Sequence, residues 1–332
     1  MRNILVQIPN HQLSAFLTEE TKTALQTLGH VEWNPYDRPF SKEELAEKVK
    51  EAHVVITTWR TCPLDDEILE QANRLELVAH MAGSIRPVLP TTMVFEKGIR
   101  VLNSNYAIAV SVSESVLALI LALGHNILPV HQIMSSGGNA KIASMETYEL
   151  RGKTVGLVGL GMVAREVIKL LRPFGVKMLG YDPFFAEEMA ADLSVKLCPL
   201  HELLSQSDIV SLHAPKVPET YHMIGKAELS LIRDGAMLIN TARGDLIDED
   251  ALLSELRTKR FKAGLDVFTV EPLAVDSEFR QLDNVIARPH LAGVNPDSRL
   301  RIGKLMVEEI RRFYAGESLA FEVKREQLAI MT

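Results

Sequence analysis

Cysteine is scarce: the 332-residue chain has two, Cys62 and Cys198, far apart in sequence. That excludes a disulfide framework and predicts buried thiols in a reducing compartment. No His/Cys cluster has metal-ligand spacing, so a mechanism without a metal is expected. Positive charge is not in excess, with 36 Lys and Arg against 43 Asp and Glu and a net charge of −7. This argues against a nucleic-acid partner, although a positive pocket fits inside an acidic protein. Long hydrophobic runs are also missing. The most apolar one, 116–123, is too short to span a bilayer and follows Ser113, Glu114 and Ser115. The first nine residues are broken too early for a signal peptide. There is no repeat and no low-complexity tract. A soluble cytoplasmic protein with no membrane partner is expected.

What is present is a hydrophobic fraction of 47%, enough to fill the cores of two domains at this length. Short apolar strands alternate with amphipathic helices, which predicts an α/β architecture of parallel sheets. Strands are expected at 4–8, 54–58 and 77–80, then at 154–158, 177–181, 209–212, 237–240, 264–267 and 285–287. Early helices are expected at 18–28 and 41–51, the second with the capping-box pair Ser41 and Glu44.

Residues 153–164 (KTVGLVGLGMVA) read as a buried strand, a glycine turn and the start of a helix. Gly159, Gly161 and Ala164 fit the pattern G-x-G-x-x-G/A. Gly159 permits the tight turn, Gly161 lets a pyrophosphate approach the backbone, and Ala164 lets the helix pack on the strand. The helix start then offers unpaired N–H groups to the phosphates. Asp182 follows Gly161 by twenty-one residues and ends the next strand. A carboxylate there accepts the adenosine ribose hydroxyls and repels a 2′-phosphate, which favours NAD over NADP.

The motif starts mid-chain, so a cofactor domain is expected to be inserted into another domain. The discontinuous substrate domain would be 1–103 with 297–332, and the NAD-binding domain 104–296. Helices around 110–123 and 296–314 would cross between them, with the ligand in the intervening cleft.

Three later segments carry residue types that a hydride-transfer site needs. Arg243 lies just past the end of a strand, where its guanidinium can hold a carboxylate in two-pronged fashion and polarise a carbonyl. Asp266 sits among apolar neighbours and needs a partner. Glu271 precedes Pro272. His290 follows another strand, and histidine exchanges protons near neutral pH; a carboxylate beside it favours the imidazolium.

The chain resembles the D-2-hydroxyacid dehydrogenase family over nearly its whole length. The resemblance is carried by the glycine motif, 212–215 (LHAP), 240–244 (NTARG), 265–272 (LDVFTVEP) and 289–293 (PHLAG), five collinear matches. It implies two Rossmann-like doubly wound parallel-sheet domains, NAD, and a homodimer built with an arm at about 125–150. It implies Arg243, Glu271 and His290 as the catalytic set. Arg243 would hold the substrate carboxylate and the oxygen on C2, His290 would exchange the hydroxyl proton, and Glu271 would orient His290. Met162 and Val163 would cover the pyrophosphate, Ala214 and Pro215 the adenosine. Thr241, Ala242, Asp266 and Gly293 would hold the nicotinamide end beside Arg243 and His290, and His213 would be wall, not acid.

The match departs at 81–86 (MAGSIR), where many relatives carry Gly-x-Asp-Asn. Gly83 and Ser84 keep N–H groups for a substrate anion, while Arg60 or Arg86 reads a second polar group or pairs with Asp65 or Asp66. The expected substrate is a small D-2-hydroxy or 2-keto acid: glyoxylate, hydroxypyruvate, phosphoglycerate and lactate stay open. The glutamate at 271 disfavours formate oxidation, for which relatives carry Gln. A phosphite-type dehydrogenase and an NADH-sensing corepressor-like binding protein are the alternatives.

Overall fold

Short segments of two to five residues, most of them rich in aliphatic side chains, form twelve strands among the described residues. The structure, a computed structural model, describes residues 2–138 and 147–330. The chain divides into two compact units, Met1–Ile108 with Val294–Thr332, and Ala109–Gly293.

The first unit holds β1 (Asn3–Val6), β2 (His30–Trp33), β3 (Val54–Thr57), β4 (Leu77–His80) and β5 (Arg100–Leu102), ordered β2-β1-β3-β4-β5 with parallel pairings. The second holds β6 (Thr154–Val158), β7 (Lys177–Tyr181), β8 (Lys196–Leu197), β9 (Ile209–Leu212), β10 (Met237–Asn240), β11 (Lys262–Leu265) and β12 (Val285–Ala287). Its order is β12-β11-β10-β9-β6-β7-β8, also parallel. Both are doubly wound sheets; the second has the nucleotide-binding order 3-2-1-4-5-6 with one added edge strand. Strands β3, β4, β9 and β10 are buried throughout, because helices cover both faces of such sheets; this is why they read as continuous apolar runs.

The sequence reading passed over β2, β5 and β8. All three are short, and β2 and β8 contain no fully buried residue, so their hydrophobic signal is weak. It also placed β11 two residues late and put Asp266 inside the strand. The ladder starts at Lys262, whose Nζ donates to the Leu123 carbonyl (3.2 Å), and Asp266 lies one residue beyond the strand. The expected capping box is present: Ser41 Oγ accepts from the Glu44 N–H, and Glu44 reaches back to the Ser41 N–H.

The helix Asn105–Gly124 is longer than its apolar run suggested. By length and composition it could cross a membrane, but 56% of its apolar window is buried within the chain. The helix Ile127–Ser135 has no buried residue and exposes Ile127, Leu128 and Met134. Of the arm expected at 125–150, residues 139–146 lie outside the described residues.

The helix Pro296–Ala315 begins with Pro296 after a capping box of Asn295 and Ser298, and stops at Gly316 in the left-handed region (φ +69°). Within the first unit it packs so closely on Leu13–Phe16 that a Cβ on Gly303 would lie 1.8 Å from the Phe16 carbonyl oxygen. That atom is backbone, so relief requires moving a helix. Gly303→Ala is therefore expected to destabilise the chain by about 1–3 kcal/mol or more. Urea unfolding of the two proteins checks it; an unchanged midpoint would mean that the helix yields freely.

Candidate active site

The loops at the carboxyl ends of β6, β7, β9, β10, β11 and β12 carry the residues singled out in the second unit. Gly159 follows β6 with φ +89°, and a Cβ there would approach the Ala214 nitrogen (2.7 Å) and the His213 carbonyl carbon (2.8 Å). Only glycine fits this turn without strain. Gly161 caps the helix Met162–Leu171, which has no side-chain cap and no acidic residue in its first turn. A Cβ on Gly161 would meet nothing within 4 Å. Open space over unpaired N–H groups suits an anion, so the chain's own residues fit a dinucleotide pyrophosphate here.

Asp182, just past β7, joins the turn to the next loop. Its Oδ2 accepts from the Leu160 N–H (2.9 Å) and its Oδ1 from the Phe184 N–H (3.0 Å). Each oxygen retains capacity for a further donor such as a ribose hydroxyl. Past β9, both ring nitrogens of His213 are buried without a hydrogen-bond partner among the described residues, although the residue as a whole is partly exposed. Burial pulls its pKa down to about 3, which keeps the ring neutral and makes it a poor proton donor at neutral pH.

Past β10, Asn240 shapes its own loop: its Oδ1 accepts from the Ala242 N–H (3.0 Å) and its Nδ2 donates to the Arg243 carbonyl (2.8 Å). Thr241 Oγ1 is buried with no partner among the described residues. Such an orphan acceptor and donor fits a ligand polar group. The Arg243 guanidinium donates to the Ala242 carbonyl (2.6 Å). Burial lowers its pKa, and the carboxylates of Glu271 and Asp245 act in the opposite sense. Asp245 is in turn paired with Lys216 (2.8 Å). Gly244 lets this loop touch the next one, since a Cβ there would fall 2.1 Å from the Phe268 carbonyl carbon and 2.2 Å from the Thr269 nitrogen.

Asp266 is fully buried and organises the far end of the site. Its backbone N–H donates to the Asn240 carbonyl (2.9 Å), and its carbonyl accepts from the His290 N–H (2.7 Å). Its carboxylate accepts from the N–H groups of Leu291 (3.1 Å) and Ala292 (2.8 Å), with Arg288 Nε 3.5 Å away. Gly293, also buried, follows that turn. His290 is thereby held in the left-handed region (φ +55°), uncommon for non-glycine residues although histidine enters it more readily than most.

Glu271 completes the arrangement. Its Oε1 accepts from the Phe268 N–H (3.0 Å), and its Oε2 lies 2.7 Å from His290 Nδ1. A carboxylate on Nδ1 requires the proton there, which leaves Nε2 as the nitrogen that can take or give one. Oriented base, half-buried cation and open anion cradle together suit proton-coupled transfer beside a dinucleotide.

In the first unit, Gly83 and Ser84 follow β4. The turn is braced by the Ser104 N–H on the Ala82 carbonyl (2.8 Å) and Ser104 Oγ on the His80 carbonyl (3.0 Å). His80 is buried, with Nδ1 2.8 Å from Thr57 Oγ1, and burial pulls its pKa to about 4 against the opposing effect of the Ser84 backbone. Arg60 has a left-handed backbone (φ +67°) and an exposed side chain. Arg86 Nη2 donates to the Leu328 carbonyl (2.8 Å). Asp65 is paired with Lys42 (2.7 Å) and caps the helix Asp66–Gln71. The sequence reading missed Arg288 and His80; a basic residue beside Pro289 and a lone His ending an apolar strand were their only signals.

Residues 117–292 match the family model "D-isomer specific 2-hydroxyacid dehydrogenase, NAD binding domain". A D-3-phosphoglycerate dehydrogenase of Methanocaldococcus jannaschii is 34% identical over 319 residues, 96% of this chain; the chain spans 58% of that enzyme's length. A hydroxypyruvate reductase of Thermotoga maritima is 36% identical over 272 residues, covering 81% of this chain and 87% of the reductase. The crystal structure of a phosphoglycerate oxidoreductase from Rhizobium etli shares the fold, with a TM-score of 0.82 at 22% identity over 98% of this chain and 99% of that one. Motifs, sheet order and relatives agree, and the chain belongs to the NAD-dependent D-isomer specific 2-hydroxyacid dehydrogenase family.

Proposed function

We propose that the chain transfers a hydride between NAD and C2 of a small D-2-hydroxy acid or its 2-keto acid, as a cytoplasmic homodimer. The observation that carries this reading is the 2.7 Å pairing of Glu271 with His290 Nδ1, close enough to the half-buried Arg243 for Glu271 to act on its charge. Bound NAD supplies the hydride acceptor, or donor in the reverse direction. Gly159, Gly161, Met162 and Val163 hold the pyrophosphate, Asp182 the ribose, and Ala214 and Pro215 flank the adenosine. Thr241, Ala242, Asp266 and Gly293 hold the other end.

Arg243 binds the substrate carboxylate and the oxygen on C2, drawing electron density from C2 during reduction. His290 Nε2 gives its proton to that oxygen, or removes it during oxidation, and Glu271 stabilises the charged ring. In the first unit, Gly83 and Ser84 offer N–H groups to an anion. Arg60 is the better candidate for a second substrate group, because Arg86 is engaged by Leu328. The unburied apolar helix Ile127–Ser135 supports the homodimer.

The test is cofactor oxidation by the purified chain over a panel of 2-keto acids, with NADPH in parallel. Turnover with NADH and at least tenfold weaker use of NADPH is expected, since Asp182 would face the added phosphate. NADPH preference would remove the role given to Asp182. Tight NADH binding without turnover on any acid would favour a cofactor-sensing protein.

A further inference from the structure

Arg288 has no part in the assignment above. It continues β12 alongside β11, its N–H donating to the Leu265 carbonyl (2.8 Å), and its side chain is about one-third exposed (31%). Its Nε lies 3.5 Å from Asp266 Oδ1, an ion pair longer than a good hydrogen bond. Both Asp266 oxygens already accept backbone N–H groups, from Leu291 and Ala292. At 3.5 Å the guanidinium therefore acts on the carboxylate chiefly as a charge, beside two oxygens that each accept a backbone N–H.

The position of that charge matters. In a sheet of this order a dinucleotide lies across the strand ends at the switch point, here between β6 and β9. Asp182 just past β7 marks the adenosine side, so the nicotinamide half falls toward β10 and β11, where Asp266 follows β11 and anchors His290. The nicotinamide ring is cationic when oxidised and neutral when reduced. A buried lone carboxylate beside it would favour the oxidised form.

We propose that Arg288 is the counter-charge that offsets this preference: by neutralising Asp266 it weakens binding of NAD⁺ relative to NADH and biases the site toward reduction. Arg288 acts through Asp266 and not by touching the cofactor. The inference rests on the NAD reading of this site.

The test uses the full chain as wild type, Arg288→Met and Arg288→Lys. NADH dissociation constants come from fluorescence titration, and NAD⁺ constants from displacement of NADH at fixed ionic strength. The ratio Kd(NAD⁺)/Kd(NADH) is expected to fall about three- to tenfold in Arg288→Met and to stay near wild type in Arg288→Lys. An unchanged ratio, or both constants weakened by one factor, overturns the proposal and leaves Arg288 a brace. So does a lysine variant that behaves like methionine. Should Arg288→Met fail to fold, Arg288→Gln gives the same neutral comparison. Wild-type protein that binds neither form would instead sink the cofactor reading.

Discussion

Replacing His290 by asparagine is expected to lower kcat for 2-keto acid reduction by about 10²–10⁴-fold, the usual contribution of a positioned general acid. NADH binding in the same variant should be retained. The expectation follows from the division of labour between the ring nitrogens. Nδ1 is held 2.7 Å from Glu271, and Glu271 is itself fixed by the Phe268 N–H, so Nε2 alone is available for the reacting oxygen. Asparagine is a cleaner replacement than alanine because the position has φ +55°, which asparagine adopts more readily than other non-glycine residues. Its backbone N–H would still reach the Asp266 carbonyl. Steady-state kinetics with a parallel NADH titration separates the outcomes. A kcat within a few-fold of wild type would place the proton donor elsewhere.

Arg243→Met should cost kcat about 10²–10³-fold, comparable to removing one preorganised donor from a developing charge, and should raise KM as well. The guanidinium is partly buried and sits in the field of Glu271 and Asp245, where a fixed cation is worth more than in solvent. Arg243→Lys keeps the charge but loses the planar fork, so partial recovery measures how much of the effect is charge and how much is two-pronged geometry. Full activity in the lysine variant would show that no bidentate contact is made. A raised KM alone, with kcat intact, would reduce Arg243 to a binding residue.

Much of this was legible in the chain. The glycine motif and Asp182 depend on local spacing, and local spacing survives folding: the turn, the helix start and the carboxylate on the Leu160 N–H all follow from residues within one strand–helix–strand unit. Strands buried on both faces, such as Leu77–His80 and Ile209–Leu212, announce themselves by unbroken apolarity. The edge strand His30–Trp33 does not, because its burial is only partial and its pattern mixed. Asp266 was visible as a carboxylate needing a partner, but its partners come from twenty-five and twenty-six residues later and are backbone N–H groups, which leave no mark on side-chain identity. Arg288 escaped for the converse reason: its significance depends on which carboxylate the sheet places beside it. Arg86 illustrates a third limit, since its partner is a carbonyl near the far end of the chain.

Gly244 has a consequence for how such a site can change over generations. The loop that carries Arg243 meets the loop that leads to Glu271 backbone to backbone, with no room for one methyl group between them. Any side chain introduced at that junction would pry apart the cation and the carboxylate that orients His290. Their spacing is thus inherited as a unit and cannot be adjusted by point substitution there. A substitution at Gly244 is expected to disturb both loops together, whatever side chain it brings.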